Sequence, residues 1–164
     1  MALKTKMMML ALVAALGAAG SGVAGAQDAA PTTPGGKAVV ARQAHYKDLG
    51  KAFGGINAEL RKDAPDKAAI AASAGTMKTL GEAVPSWFPK GSGPEAGVKT
   101  AAKAEIWSDA AGFAAAATKL RDETAKLQQV ATAGDIDAIK AQVRATGGAC
   151  KNCHDTYRVP PEQH

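Results

Sequence analysis

Apolar positions along this chain recur every seven residues, the spacing that keeps one face of a helix turned toward a common interior. Val39, Tyr46, Phe53 and Leu60 form the first series, with Leu49 and Ile56 between them, and predict a helix over about 37–62. Asp63-Ala64-Pro65-Asp66 then ends one helix and opens the next. Asp63 is suited to cap, Pro65 to a first turn, and Asp66 to the positive end of the helix dipole. Ile70, Ala74, Met77, Gly81 and Val84 share the stripe of a second helix that stops near Pro85. Ile106, Phe113, Leu120 and Leu127, interleaved with Ala110, Ala117 and Thr124, predict a third over about 100–132. A fourth opens at Gly134-Asp135, carries Ile136, Ile139, Val143, Thr146, Cys150, Cys153 and Tyr157 on its seam, and ends at Pro160-Pro161.

Strand-like alternation is missing, and strong helix formers dominate. Four amphipathic helices with short first and third connections predict an all-α, antiparallel up-down-up-down four-helix bundle. The longer connection, 85–99, holds Trp87, Phe88, Pro89, Gly91, Gly93 and Pro94, too many breakers for a helix. Its two aromatics read as a lid on the core. Gly54, Gly55, Gly75, Gly81, Gly147, Gly148 and many alanines leave volume that side chains alone would not fill.

The ends carry other signals. Lys4 and Lys6, the apolar run 7–19 and the small residues up to Ala26 have the form of a signal peptide, 1–26, cut after Ala26. The run is short for a membrane span, so the expectation is an exported, periplasmic protein with no span in the mature chain. Residues 27–36 read as a flexible leader, 37–159 as the bundle and 160–164 as a tail containing His164. Loss of Lys4 and Lys6 lowers the formal charge from +5 to +3, and no clustered basic motif supports nucleic-acid binding.

The candidate chemistry is Cys150-Lys151-Asn152-Cys153-His154, the attachment signature of a c-type haem. Residues three apart share a helix face, so both thiols can meet one edge of the macrocycle while His154 turns a ring nitrogen to the iron. A redox dithiol would want a βαβ setting and a structural zinc site a second cysteine pair. A simple disulfide would leave His154 unexplained. One covalently attached haem c is the expected cofactor, and a haem edge is a natural thing for Trp87 and Phe88 to cover.

Three stretches together resemble the class II c-type cytochromes, the cytochrome c′ family. They are Arg42-Gln43, Glu105-Ile106-Trp107 with Phe113, and Cys150 to Arg158 at the C-terminal end. The resemblance covers about 39–158 and implies a left-twisted bundle around one haem, often a homodimer through the first two helices. It also implies that Arg42 and Gln43 lie by the haem propionates, and that Arg158 lies by the proximal face. Low-spin members of the family place a ligating methionine where this chain has Tyr46, a neutral phenol and a poor ligand. His154 is then the only axial protein ligand to a five-coordinate, high-spin iron, with Tyr46 as a steric gate on the distal side.

Two residues offer rival ligands. His45 points off the seam, and Met77 lies on it, where methionine usually fills core. The expected function is binding of small diatomics, nitric oxide first and carbon monoxide with it. A low-spin one-electron carrier serving a periplasmic redox partner is the alternative. No distal acid–base pair favours an enzyme.

Overall fold

In the computed structural model, residues 31–160 are described; the expected signal peptide, its cleavage point and His164 lie outside them. The helices are α1 (Pro34–Glu59), α2 (Lys67–Ala83), a single-turn α3 (Glu105–Ser108), α4 (Ala110–Ala133) and α5 (Ile136–Tyr157). The bundle expected from the heptads is formed by α1, α2, α4 and α5. Among the described residues no helix is long and apolar enough to cross a membrane.

Helix ends differ from the expected ones for local reasons. The first begins at Pro34, so the last three residues assigned to the leader are helical. Thr33 caps it by accepting from the Gly36 N–H at 3.0 Å, and Pro34 stands where no intrahelical donor is needed. Gly35 is pressed against the 85–99 connection, where an added Cβ would collide with the Gly91 carbonyl. At the next junction Asp66, not Asp63, is the cap, accepting from Ala68 and Ala69 N–H at 2.9 and 3.1 Å. Pro65 precedes that cap instead of sitting in the first turn. Glu59 pins the turn by accepting from the Asp66 N–H at 3.1 Å and pairing with Lys62.

The third predicted helix is the largest departure. Thr100–Lys103 runs extended, and Ala102 forms an antiparallel bridge with Arg158 beyond the end of α5. After α3, Asp109 leaves the helical region at φ −112° and ψ 58° and caps α4. Ala110, expected on the seam, is exposed as a result. Short polar side chains compete with the backbone in this way: Asp109 accepts from the Gly112 N–H at 3.1 Å and from the Tyr157 hydroxyl at 2.7 Å.

The seam residues otherwise form the core: Leu49 and Ile56 of α1 cluster with Ile70, Ala74 and Met77, and with Leu120, Leu127, Ile139 and Val143. Helix α1 packs on α2, α2 on α4, and α4 on α5. Gly81 serves close packing, because a Cβ there would lie 2.6 Å from Thr124 Oγ1. None of the six glycines expected to leave space lines the bundle's cavity; Gly50 and four alanines do.

One buried charge ties α4 to α5. Glu123, 4% exposed, pairs with Lys119 at 2.6 Å and accepts from Gln142 Nε2 at 2.6 Å. Those two hydrogen bonds hold its carboxyl below the ordinary carboxylate range. Its stabilisation is therefore present above the unfolded carboxyl's pKa and is lost as pH falls through the lower folded value. Glu123→Ala should cost about 1–3 kcal/mol in urea unfolding at pH 7, and the deficit should shrink in acid.

Candidate functional site

A cavity of about 510 Å³ opens between α1 and α5, within the size range of cofactor sites. Leu49, Val84, Ile106, Phe113 and Leu120 give it apolar walls. Each site residue named from the sequence lines it: Arg42, Gln43 and Tyr46 from α1, Cys150, Cys153 and His154 from α5, and Arg158 just after. Met77 lines it too. His45 does not; it is half-buried outside, stacked on Trp87 with ring centroids 4.9 Å apart.

The two cysteines are free and half-buried. Burial pushes both thiols above their ordinary value, for Cys153 with help from Cys150. A dithiol built for redox exchange has the opposite shift, with a thiolate favoured near neutral pH. Partial burial and then the Arg158 cation push His154 below its ordinary value, with Asp155 opposing. Both causes favour the neutral imidazole, the form that offers a lone pair to a metal.

Tyr46 faces this pair from α1. Burial pushes its phenol well above the tyrosine range, Cys153 adds to the shift, and Arg42 opposes it. The ring is packed edge-on by Trp87 at 5.1 Å and by Phe88 at 6.3 Å. The aromatic connection thus covers the cavity.

Arg42 is 3% exposed and makes no ion pair among the described residues. Its NH1 donates to Ser92 Oγ at 3.0 Å and its NH2 to Thr100 Oγ1 at 2.8 Å. The guanidinium carbon lies 4.9 Å from the Phe88 ring centroid and 5.9 Å from that of Trp107. Burial lowers its pKa, although a guanidinium remains protonated at any working pH. Gln43 Nε2 donates to the Lys99 carbonyl at 2.9 Å, a second tie between α1 and the same connection.

These residues fit a haem. Two thiols and an imidazole stand on one wall of a cavity with apolar sides, and a buried cation without a carboxylate partner among the described residues stands at its edge. Sequence reasoning missed Ser92, Thr100 and Asp109, which hold other site residues in place. Ser92, flanked by Gly91 and Gly93 in a run of breakers, gave only a loop signal.

Residues 37–158 match the family described as Cytochrome C′. A cytochrome c′ of Rubrivivax gelatinosus is 40% identical over 124 residues, 75% of this chain and 95% of the relative. The crystal structure of cytochrome c′ from that organism is similar with a TM-score of 0.70 and 38% identity, covering 76% of this chain and 96% of that one. A nitric oxide complex of a variant cytochrome c prime from Alcaligenes xylosoxidans has a TM-score of 0.69 and 34% identity, over 77% and 97% of the two chains. A carbon monoxide-bound variant from the same organism gives the same figures: 0.69, 34%, 77% and 97%.

Replacing Arg42 tests its hold on the covering segment. Arg42→Ala should lower stability by at least about 2 kcal/mol, since hydrogen bonds from a charged donor are each worth roughly 1.5–3 kcal/mol. Arg42→Lys should recover little of it in chemical denaturation, because an ammonium has no fork with which to reach Ser92 and Thr100 together.

Proposed function

The chain belongs to the cytochrome c′ family, whose members carry one covalently bound haem c, and from that premise we propose an exported haem protein that binds small neutral diatomics, nitric oxide first. The observation that carries this reading is Tyr46, a protonated phenol facing apolar walls where a strong sixth ligand would otherwise stand. Bound in the cavity, the haem supplies an iron able to take a diatomic ligand.

The chain's own residues set the terms. Cys150 and Cys153 would hold the macrocycle by thioethers, and His154 would offer its lone pair to the iron. Partial burial and then the Arg158 cation favour the neutral imidazole. Arg42 and Gln43 would receive the propionates, and a charge of opposite sign is what the buried guanidinium lacks among the described residues. Apolar walls offer few hydrogen bonds to water or anions, so neutral diatomics are favoured. Tyr46 must swing aside for a ligand to bind, and Trp87 and Phe88 resist that swing.

The nitric oxide and carbon monoxide complexes of the Alcaligenes relatives support the ligand class. Among the described residues no Asp or Glu lines the cavity, which supports a binder or carrier over a catalyst. The basic, apolar and small-residue series at the start of the chain supports export to the periplasm. A cytochrome c′ structure described with ligand-controlled dimer dissociation, 26% identical with a TM-score of 0.72, supports a homodimer.

The second reading, a low-spin carrier for a periplasmic redox partner, is favoured by Met77, whose side chain lines the cavity. Absorption spectra separate the two. A broad high-spin Soret band that sharpens with carbon monoxide supports ligand binding, whereas a low-spin spectrum indifferent to the gas supports the carrier. Within the first reading, Tyr46→Ala should speed carbon monoxide association about tenfold or more in stopped flow, equivalent to ~1.4 kcal/mol off the barrier. An unchanged rate would remove the gate.

A further inference from the structure

The last turn of α5, which carries His154, ends with all its carbonyls satisfied. A helix leaves its final four carbonyls without intrahelical N–H partners, and exposed ends fray. Here the Arg158 N–H donates to the His154 carbonyl at 3.0 Å, and the Lys103 N–H to that of Tyr157 at 3.0 Å. Lys103 Nζ covers the two between, Thr156 at 3.2 Å and Asp155 at 3.5 Å. The Val159 N–H adds a bond to the Ala101 carbonyl at 2.8 Å.

A side chain completes the hold. Tyr157, 6% exposed, lies three residues after His154 on a neighbouring position of the helix surface, and both line the cavity. Its hydroxyl donates to Asp109 Oδ2 at 2.7 Å, while Asp109 Oδ1 accepts from the Gly112 N–H at 3.1 Å. The ring packs on Phe113 with centroids 5.5 Å apart. Two oddities of the chain serve this contact: the helix breaks at Asp109, and residue 112 has no side chain. A Cβ on Gly112 would collide with both Asp109 Oδ2 and the Tyr157 hydroxyl. Packing alone would be met by phenylalanine, which lacks the hydroxyl.

We infer that Asp109, Gly112 and Tyr157 are positioning residues for His154. They tie the ligand-bearing turn of α5 to the start of α4 and so fix the angle at which the imidazole addresses the iron. The inference rests on the reading of His154 as the axial ligand. Because Asp109 is exposed and keeps its Gly112 contact, loss of the Tyr157 hydroxyl strands no buried charge, and the variant should fold.

The test uses dithionite-reduced holoproteins: wild type, Tyr157→Phe, Asp109→Ala, and Glu123→Ala as a destabilised control remote from the cavity. Two quantities are read, the iron–histidine stretching band in resonance Raman spectra and the amide exchange rates of Arg158 and Val159. In Tyr157→Phe and Asp109→Ala the band should broaden and move to lower frequency and both amides exchange faster, with neither change in the control. A band identical to wild type in both variants overturns the inference, even where their melting temperatures fall. The same holds if the control shifts the band equally. A wild-type protein with no iron–histidine band overturns the reading of a five-coordinate iron with His154 as its sole protein ligand, and the positioning role with it. A band present in wild type but unmoved in the variants removes the positioning role alone.

Discussion

A cation taken out of water keeps its charge only where dipoles or aromatic faces replace the lost solvation, and Arg42 has both. Two hydroxyls accept from its fork, and two rings stand within cation–π reach. Those partners all lie in 88–107, which crosses the top of the cavity and contains little regular structure of its own. Such a segment would ordinarily be the most mobile part of a bundle. Anchored on one guanidinium, it becomes a wall. The Phe88 ring joins those of Trp107 and Phe113 edge-on, at 6.0 and 4.9 Å, so the covering layer is aromatic and stiff.

That wall matters because hollows inside proteins tend to collapse: atoms bordering a void forfeit dispersion partners. Here the opposing sides are kept apart by large rings on one side and by helix α4 behind, while Gly50, Ala116 and Ala117 keep the middle clear. Polar chemistry is confined to the rim. Burial, the first cause in each case, pushes the two thiols and Tyr46 upward and His154 downward, all toward their neutral forms. The leading cause is thus shared by four side chains that arrive from two helices.

Much of this was legible in the heptads, because burial on a helix is periodic and the period survives in the sequence. The α2 stripe of Ile70, Ala74, Met77, Gly81 and Val84 is buried throughout. The attachment motif was legible because its chemistry is local, five consecutive residues. The start of the third helix was not. Thr100 to Ala110 has helix-forming composition, and what unwinds it is tertiary: pairing of Ala102 with Arg158 and capture of Asp109 by Tyr157, 48 residues away. Ser92 failed to register for a similar reason, since its partner Arg42 is 50 residues distant and nothing nearby marks it. The glycines show a third kind of miss. Their smallness was legible, but whether it served a hollow or a close helix crossing, as at Gly81, depended on the packing.

The arrangement of the four long helices has a consequence for how the protein is assembled. Each extensive helix contact joins consecutive long helices, α1 with α2, α2 with α4 and α4 with α5, and such sequence-local contacts form fast. The remaining side, between the first helix and the last, is where the cavity opens. On the reading of Cys150 and Cys153 as attachment points, a haem would brace that side, where the two helices make no extensive contact. The prosthetic group would then be a cross-brace between residues more than 100 positions apart. Since Cys150 and Cys153 lie near the end of the final helix, the three local seams would form before a covalent bond completed that brace.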